Sequence, residues 1–293
     1  MSALLPASLR ARAEGLQWRA PGIHAEVGHG TRAGNALGPG IEFAQYRAFE
    51  AGDDVRHLDK HVYGRLGRTV IRQFTQEQAL RVHVLLDASA SMGWDADKWR
   101  TAQQVAALCT LVSLQGGDHV SLLTAQAGRL EAGPRLTRVA MIDDALERLA
   151  QVTPGGRTER LEPIARASID RMHGRGLVVV VSDWLMEDAH DAIRVWRAQG
   201  YALLALQVLG RTDVTPEADV RGWARLVDVE TGEVLDRFVD EGTVQAYQEV
   251  VQAWQAELRA SVLRAEGHWF GVRADRDDPS EILSRWQRMG LVT

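Results

Sequence analysis

The sequence has almost no cysteine and no long apolar run, and each shortage excludes a class of protein. Its single cysteine, Cys109, cannot form an internal disulfide, so a reducing compartment is expected. Cys109 lies in an apolar, helical-looking stretch, which favours packing as a small hydrophobe over a reactive thiol. The first residues, MSALLPASLRARAEGL, lack a signal-peptide core, and no apolar run reaches about eighteen residues. We therefore expect a cytoplasmic protein without a membrane span.

The sequence also has little excess of charge of either sign. The net charge of -5 over 293 residues creates no strong field, and basic residues do not cluster with aromatic ones. Nucleic acid is therefore not an expected partner. A glycine-rich stretch, EVGHGTRAGNALGPG, resembles a phosphate loop only in composition, because no Gly-Lys-Ser/Thr sequence ends it.

The pattern of apolar residues changes near residue 80. Before it, GIEFAQYRAF and RTVIRQF alternate like half-buried strands. After it, wholly apolar strands such as VHVLL and GLVVVVS alternate with amphipathic helices, which is typical of a parallel sheet covered on both faces. The predicted fold class is α/β, with a doubly wound, mostly parallel sheet and a small β lobe.

One hairpin does not fit the parallel order. WARLVDVETGEVLDRFV predicts a β-hairpin around Thr231-Gly232, and we expect it to pair with the strands of residues 41–75. The predicted organisation has four parts. Residues 1–80 are a segment that is first flexible and then part of the β lobe, and residues 81–212 are the first part of the α/β domain. Residues 213–240 are the inserted hairpin that packs with the β lobe, and residues 241–293 are the last helix–strand–helix of the domain.

Oxygen-bearing side chains follow the ends of the predicted strands. In an open α/β sheet, functional groups gather at the carboxyl ends of the strands. The residues there are two acids and three hydroxyls: Asp87, Ser89, Ser91, Thr158 and Asp183. An all-oxygen set without His or Cys suits Mg²⁺ or Mn²⁺ rather than zinc. The sequence therefore predicts a metal site with room for an outside oxygen donor.

Each of these residues also has a purely structural explanation. The acids and Thr158 could cap helices, and the serines could be turn residues. Four neighbours are candidates for contact with a partner, although surface charges usually have no specific role. They are Trp94, Arg157, Glu159 and Trp184.

Together, the five residues resemble the metal-ion-dependent adhesion site (MIDAS) of von Willebrand factor A domains. That resemblance implies that the serines and the threonine ligate the metal, that the acids bind directly or through water, and that a partner's carboxylate completes the coordination. The order of strands and helices over roughly residues 80–275 also resembles that family.

A narrower resemblance covers the segment before residue 80. GIEFAQYRAFEAGDDVRHLDKHVYGRLGRTVIRQFTQEQ is similar to the hallmark segment of the bacterial DUF58 family, whose members are often encoded beside MoxR-type AAA+ ATPases. Gly52-Asp53-Asp54, Arg56 and Asp59 match its pattern, and Lys60 departs from it. His57 and His61 have the spacing of zinc ligands on a helix, but no third ligand is near in sequence.

The expected function is a metal-dependent, protein-binding adaptor that works with a MoxR-type ATPase on a client complex. No general base is predicted near the site, so we do not expect an enzyme. The alternatives are a metal-dependent phosphohydrolase that uses Asp87 or Asp183, and a scaffold whose site stays empty.

Overall fold

The computed structural model describes residues 4–19, 37–38, 42–50, 58–75, 79–156, 160–216 and 220–293. The chain divides into a main unit, Met1–Ile23 with Leu80–Thr293, and a small unit, His24–Ala79.

The described strands and helices are numbered in chain order. The strands are β1 (Leu37–Gly38), β2 (Glu42–Ala48), β3 (Val70–Thr75), β4 (Arg81–Asp87), β5 (His119–Gln126), β6 (Arg129–Leu136), β7 (Leu177–Ser182), β8 (Ala202–Leu209), β9 (Gly222–Val227), β10 (Val234–Val239) and β11 (His268–Arg273). The α-helices are α1 (Ala7–Arg12), α2 (Lys60–Leu66), α3 (Ala96–Gln115), α4 (Ile142–Gln151), α5 (Glu162–Arg171), α6 (Ala189–Ala198), α7 (Arg211–Val214), α8 (Glu241–Arg264) and α9 (Pro279–Arg288).

The main unit is built on a six-stranded sheet in the order β11-β8-β7-β4-β5-β6. All neighbouring strands are parallel except β6, which runs antiparallel to β5 at one edge. β7 and β8 are buried at every residue, as expected for strands covered on both faces. The predicted mostly parallel α/β sheet is therefore confirmed.

Helices cover both faces of this sheet. Val178 and Val180 of β7 pack in one cluster with residues of α5, α6 and α8, among them Trp196. The alternate residue Val179 is equally buried and points to the opposite face, because successive strand side chains alternate. α3 contacts β4, β5 and β7. The sheet thus holds the ends of β4 and β7 rigidly side by side.

The start of the chain belongs to the main unit, which differs from the predicted boundary of residues 1–80. Trp18 pairs with Val292 in an antiparallel bridge, and its indole lies 5.5 Å from that of Trp286. Its Nε1 donates to Ser113 Oγ at 2.8 Å. The alternation seen from residue 41 onwards gave no sign of this separate packing.

The predicted hairpin is present, but it forms a sheet of its own. β9 and β10 pair over six residues each, from Gly222 opposite Val239 to Val227 opposite Val234. The strands of the small unit form a separate three-stranded sheet, so the shared sheet predicted from the sequence is not formed by the described strands. β9 and β10 are joined by the short turn at Thr231-Gly232, so each strand pairs with its neighbour in the chain. Packing of the hairpin on the β lobe stays a prediction.

The small unit contains an antiparallel sheet, β1-β3-β2, and α2, which lies between β2 and β3 in the chain. Asp59 is buried and caps α2, since it accepts from the backbone N–H groups of His61 and Val62. It also accepts a hydrogen bond from the Tyr46 hydroxyl at 2.9 Å. Asp59 therefore has a structural role.

Several predictions for this segment fall outside the described residues. These are His57, Gly52-Asp53-Asp54, Arg56 and most of the glycine-rich stretch. His61 and Lys60 are exposed on α2.

Candidate functional site

The candidate site lies where β4 and β7 end side by side. Asp87 is the last residue of β4, and Ser182 is the last of β7. Asp87 is buried; its Oδ1 accepts from the Ser89 N–H at 2.9 Å, and its Oδ2 accepts from the Ser182 hydroxyl at 2.7 Å. The two strand ends are therefore joined through the Asp87 carboxylate.

The two serines of the first loop turn their hydroxyls toward each other. Ser89 Oγ and Ser91 Oγ are 3.1 Å apart, and Ser89 is fully buried. Two oxygens on adjacent corners of an Mg²⁺ octahedron, each about 2.1 Å from the ion, are about 3.0 Å apart. The spacing of the hydroxyls is therefore that of two neighbouring metal ligands.

The second predicted loop is tied to the first by its backbone. Gly155 N–H donates to the Ala88 carbonyl at 2.9 Å, and Ala90 N–H donates to the Gly156 carbonyl at 3.2 Å. Gly156 has φ +78°, and a Cβ there would lie 2.5 Å from that of Ala127. Glycine is required because the backbone is left-handed and the approach is close.

Three predicted site residues follow directly on this loop. Arg157, Thr158 and Glu159 lie outside the described residues, so their predicted roles stay predictions.

Asp183 is held by a buried lysine that the sequence analysis missed. Lys98 Nζ donates to Asp183 Oδ2 at 2.9 Å and to the Ser91 carbonyl at 3.1 Å, and it lies 2.9 Å from Asp213 Oδ2. The other Asp183 oxygen accepts from the Leu185 N–H at 3.1 Å. All three ammonium protons have an acceptor, and both Asp183 oxygens have a donor.

Burial and charge shift the pKa values of these groups. Burial, and then repulsion by Asp183, raise the pKa of Asp87 to about 6. Burial opposes the charge of Lys98, but Asp183 and Asp213 outweigh it, so the lysine pKa is raised. Burial also raises the pKa of Asp213, against the attraction of Lys98. Among the described side chains of the site, three carboxylates, those of Asp87, Asp183 and Asp213, share one ammonium.

A sequence signal for Lys98 exists. Lys98, Ala102, Val105 and Cys109 share the buried stripe of α3. Lys98 is also in the first turn, where the helix dipole disfavours a cation. A lysine at such a position needs a buried anion as its partner.

The two tryptophans beside the acidic loops have different environments. Trp94 is 67% exposed beside the serine loop. Trp184 is fully buried with its ring 6.3 Å from that of Trp196, so the prediction that it contacts a partner is wrong. Its φ of +58° turns the side chain into the core, and its carbonyl accepts from Trp254 Nε1.

A model of the DUF58 family, described as a protein of unknown function, matches residues 45–257, more than half of the chain. The chain belongs to the DUF58 family. It is 27% identical over 262 residues to uncharacterised proteins of Mycobacterium bovis and Mycobacterium tuberculosis, a match that covers 87% of this chain and 81% of theirs.

Two solved structures resemble the DUF58 chain more distantly. One is the conserved hypothetical protein BatB from Bacteroides thetaiotaomicron, with a TM-score of 0.42 and 16% identity over 72% of this chain and 98% of that one. The other is an aerotolerance-related membrane protein from Bacteroides fragilis, with a TM-score of 0.43 and 17% identity over 73% and 98%. Similarity at this level supports no inference about this chain. Within its described residues, no helix is both long and apolar enough to cross a membrane.

The donor set decides which ions this DUF58 chain could hold. Within the described ranges, no three His, Cys, Asp or Glu side chains come together as a metal cluster. A cation at the strand ends would therefore rely on the hydroxyls of Ser89 and Ser91 beside Asp87. Hydroxyl and carboxylate oxygens suit a hard cation such as Mg²⁺ or Mn²⁺.

Proposed function

We propose that this DUF58 protein is a metal-dependent, protein-binding adaptor with a MIDAS-type site, as in von Willebrand A domains. The observation that carries the proposal is the pair of hydroxyls of Ser89 and Ser91, 3.1 Å apart and next to the buried Asp87 carboxylate. A turn alone would not require a buried acid, two converging hydroxyls and a second loop bound to the first.

Ser89, Ser91 and Asp87 would hold Mg²⁺ or Mn²⁺, with Thr158 from the second loop. Asp183 would act through water, because Lys98 and the Leu185 N–H already occupy its oxygens. When bound, the cation supplies a positive charge and a coordination position that a partner's carboxylate can fill. The excess of buried carboxylate favours such a cation, since it relieves the repulsion between Asp87 and Asp183.

The surroundings of the site suit protein contact. Trp94 is exposed next to the serine loop, and aromatic side chains are enriched where proteins bind one another. Trp94 also lines an open groove with Asp95, Asp97 and Arg211. We propose a MoxR-type AAA+ ATPase and its client complex as partners, in the cytoplasm, and a binding role rather than an enzymatic one. Arg157 and Glu159 stay candidates for contact.

The test is metal-dependent binding of a purified MoxR-type ATPase from the same organism. Wild type should bind with Mg²⁺ and lose binding with EDTA, and Asp87→Asn should not bind in either condition. Asp278→Asn is the matched control, because Asp278 caps α9 and Asn is an equally good cap. Equal binding by Asp87→Asn and wild type would contradict the proposal. Metal-dependent turnover of a phosphoester that Asp87→Asn loses would favour the phosphohydrolase instead.

A further inference from the structure

A buried ammonium joins the three segments that surround the candidate site. Lys98 Nζ donates to Asp183 Oδ2, directly after β7, and to the carbonyl of Ser91 in the serine loop. It also lies 2.9 Å from Oδ2 of Asp213 on α7. The side chains of Lys98 and Asp183 are both buried. The ammonium is thus bonded at once to the Asp183 carboxylate and to the loop that carries the proposed hydroxyl ligands.

The two acids at the strand ends are held by donors of different charge. Asp183 Oδ2 accepts from the Lys98 ammonium at 2.9 Å, and its Oδ1 accepts from the Leu185 N–H at 3.1 Å. The Asp87 oxygens accept from neutral donors, a backbone N–H and a hydroxyl. A neutral donor leaves a carboxylate oxygen with lone pairs for a cation, whereas an ammonium adds a positive charge that repels one. Asp87 is therefore open to a cation, and Asp183 is not.

The number of carboxylates that coordinate an ion decides how the ion meets a partner. Each carboxylate that coordinates directly raises the affinity of an oxygen site for a hard cation. It also cancels part of the charge of the ion, which then attracts an outside carboxylate less strongly. An ion held by Asp87 and the serine hydroxyls alone would keep more charge and one more coordination position than an ion that Asp183 also coordinates.

We propose that Lys98 is a positioning residue that keeps the Asp183 carboxylate away from the bound cation, and so leaves a coordination position open for a carboxylate of the partner. This inference rests on the proposed metal site. The ammonium acts through Asp183 and touches neither the cation nor the partner. It makes the site weaker for the metal alone and more selective for an acidic side chain.

The test separates position from charge by removing one positive and one negative group together. The double variant Lys98→Met with Asp213→Asn leaves the summed charge of the site unchanged but frees Asp183 Oδ2. A triple variant adds Asp183→Asn, which removes the freed ligand. Asp87→Asn reports on the metal site itself. Lys60→Met is the control, because Lys60 is the chain's other lysine and is exposed on α2.

Calorimetry on the full chain measures Mn²⁺ affinity, water proton relaxation measures how many waters coordinate the ion, and acetate serves as the outside carboxylate. The double variant should bind Mn²⁺ roughly tenfold more tightly than wild type, because Asp183 becomes a direct ligand. Its bound Mn²⁺ should relax water less, since the carboxylate replaces a water, and should bind acetate more weakly. The triple variant should lose the gain in affinity, and Lys60→Met should match wild type.

Three outcomes would overturn the assignment of Lys98. If Asp87→Asn abolishes Mn²⁺ binding and the folded double variant binds no more tightly than wild type, the metal site stands and Lys98 only stabilises the fold. A gain in affinity that persists in the triple variant would show that Asp183 is not its source. If Asp87→Asn binds Mn²⁺ like wild type, both the metal site and the role of Lys98 are wrong.

Urea unfolding without metal shows whether the double variant is folded. If it is not, Mn²⁺ must restore its fold, because an ion that binds the folded state more tightly stabilises that state more. Failure of millimolar Mn²⁺ to do so would equally overturn the assignment.

Discussion

Replacing Lys98 by methionine should strongly destabilise the main unit. The side chains of Lys98 and Asp183 are each 1% exposed, and that of Asp213 is 14% exposed. Lys98→Met keeps most of the volume but leaves two buried carboxylates without their cation. Removing one partner of a buried ion pair costs roughly 3–5 kcal/mol. We expect a loss of that size at neutral pH.

The loss should also depend on pH, with a definite sign. Burial raises the pKa of Asp213 and Lys98 opposes the rise, so removing the lysine raises this pKa further. The folded variant then binds a proton that the unfolded chain has already released. The stability of the variant therefore falls as pH rises from the pKa of the unfolded aspartate to the raised pKa of folded Asp213. The fall is about 1.4 kcal/mol for each unit by which removal of the lysine raises that pKa further.

Urea unfolding at pH 5 and pH 8, followed by tryptophan fluorescence, measures both effects. Lys60→Met is the matched control, because Lys60 is the chain's other lysine and is exposed on α2. Adding Asp213→Asn to Lys98→Met should restore part of the stability, since it removes one of the unpaired charges. A loss below about 1 kcal/mol that is the same at both pH values would refute the reasoning.

Three further changes test other parts of the structure. Burial lowers the pKa of His83 from 6.5 to about 4. As pH falls between these values, the unfolded chain takes up a proton that the folded chain does not, so the free energy of unfolding should fall by about 3 kcal/mol. Urea midpoints of wild type and His83→Gln from pH 4.5 to 7.5 should diverge accordingly, and parallel curves would contradict this. Gly156→Ala should lower the free energy of unfolding by roughly 1–3 kcal/mol, because the new Cβ would clash with Ala127. The same change should weaken Mn²⁺ binding. An unchanged melting temperature and an unchanged Mn²⁺ affinity would show that the loop relaxes freely. Asp59→Ala removes the cap of α2 and the acceptor of Tyr46, so amide exchange over residues 58–67 should speed up, consistent with a loss of roughly 1–2 kcal/mol; unchanged exchange would exclude this role.

The sheet was predictable because its signal is local. β7 and β8 are apolar at almost every position, and such runs between amphipathic helices indicate buried parallel strands. The loop with Asp87, Ser89 and Ser91 was predictable for the same reason, since it follows directly on β4. The hairpin turn was also found, because Gly232 marks it.

Contacts between distant segments were not predictable. Nothing near Glu230 in sequence shows that its carboxylate meets Ser91, and nothing near Trp18 shows that it pairs with Val292. Trp184 was assigned to the surface because it follows an acid, but its positive φ turns it inward. Lys98 was overlooked because a lysine in a helix is normally exposed.

Calorimetric titration of Mn²⁺ and Mg²⁺ into wild type, Asp87→Asn and the control Asp278→Asn tests the central claim most directly. The account predicts one weak site in wild type and in Asp278→Asn, and its loss in Asp87→Asn, because an open site lacks its last ligand and depends on the buried carboxylate. Identical titrations for all three proteins at millimolar metal would show that the loop after β4 is a turn and not a metal site.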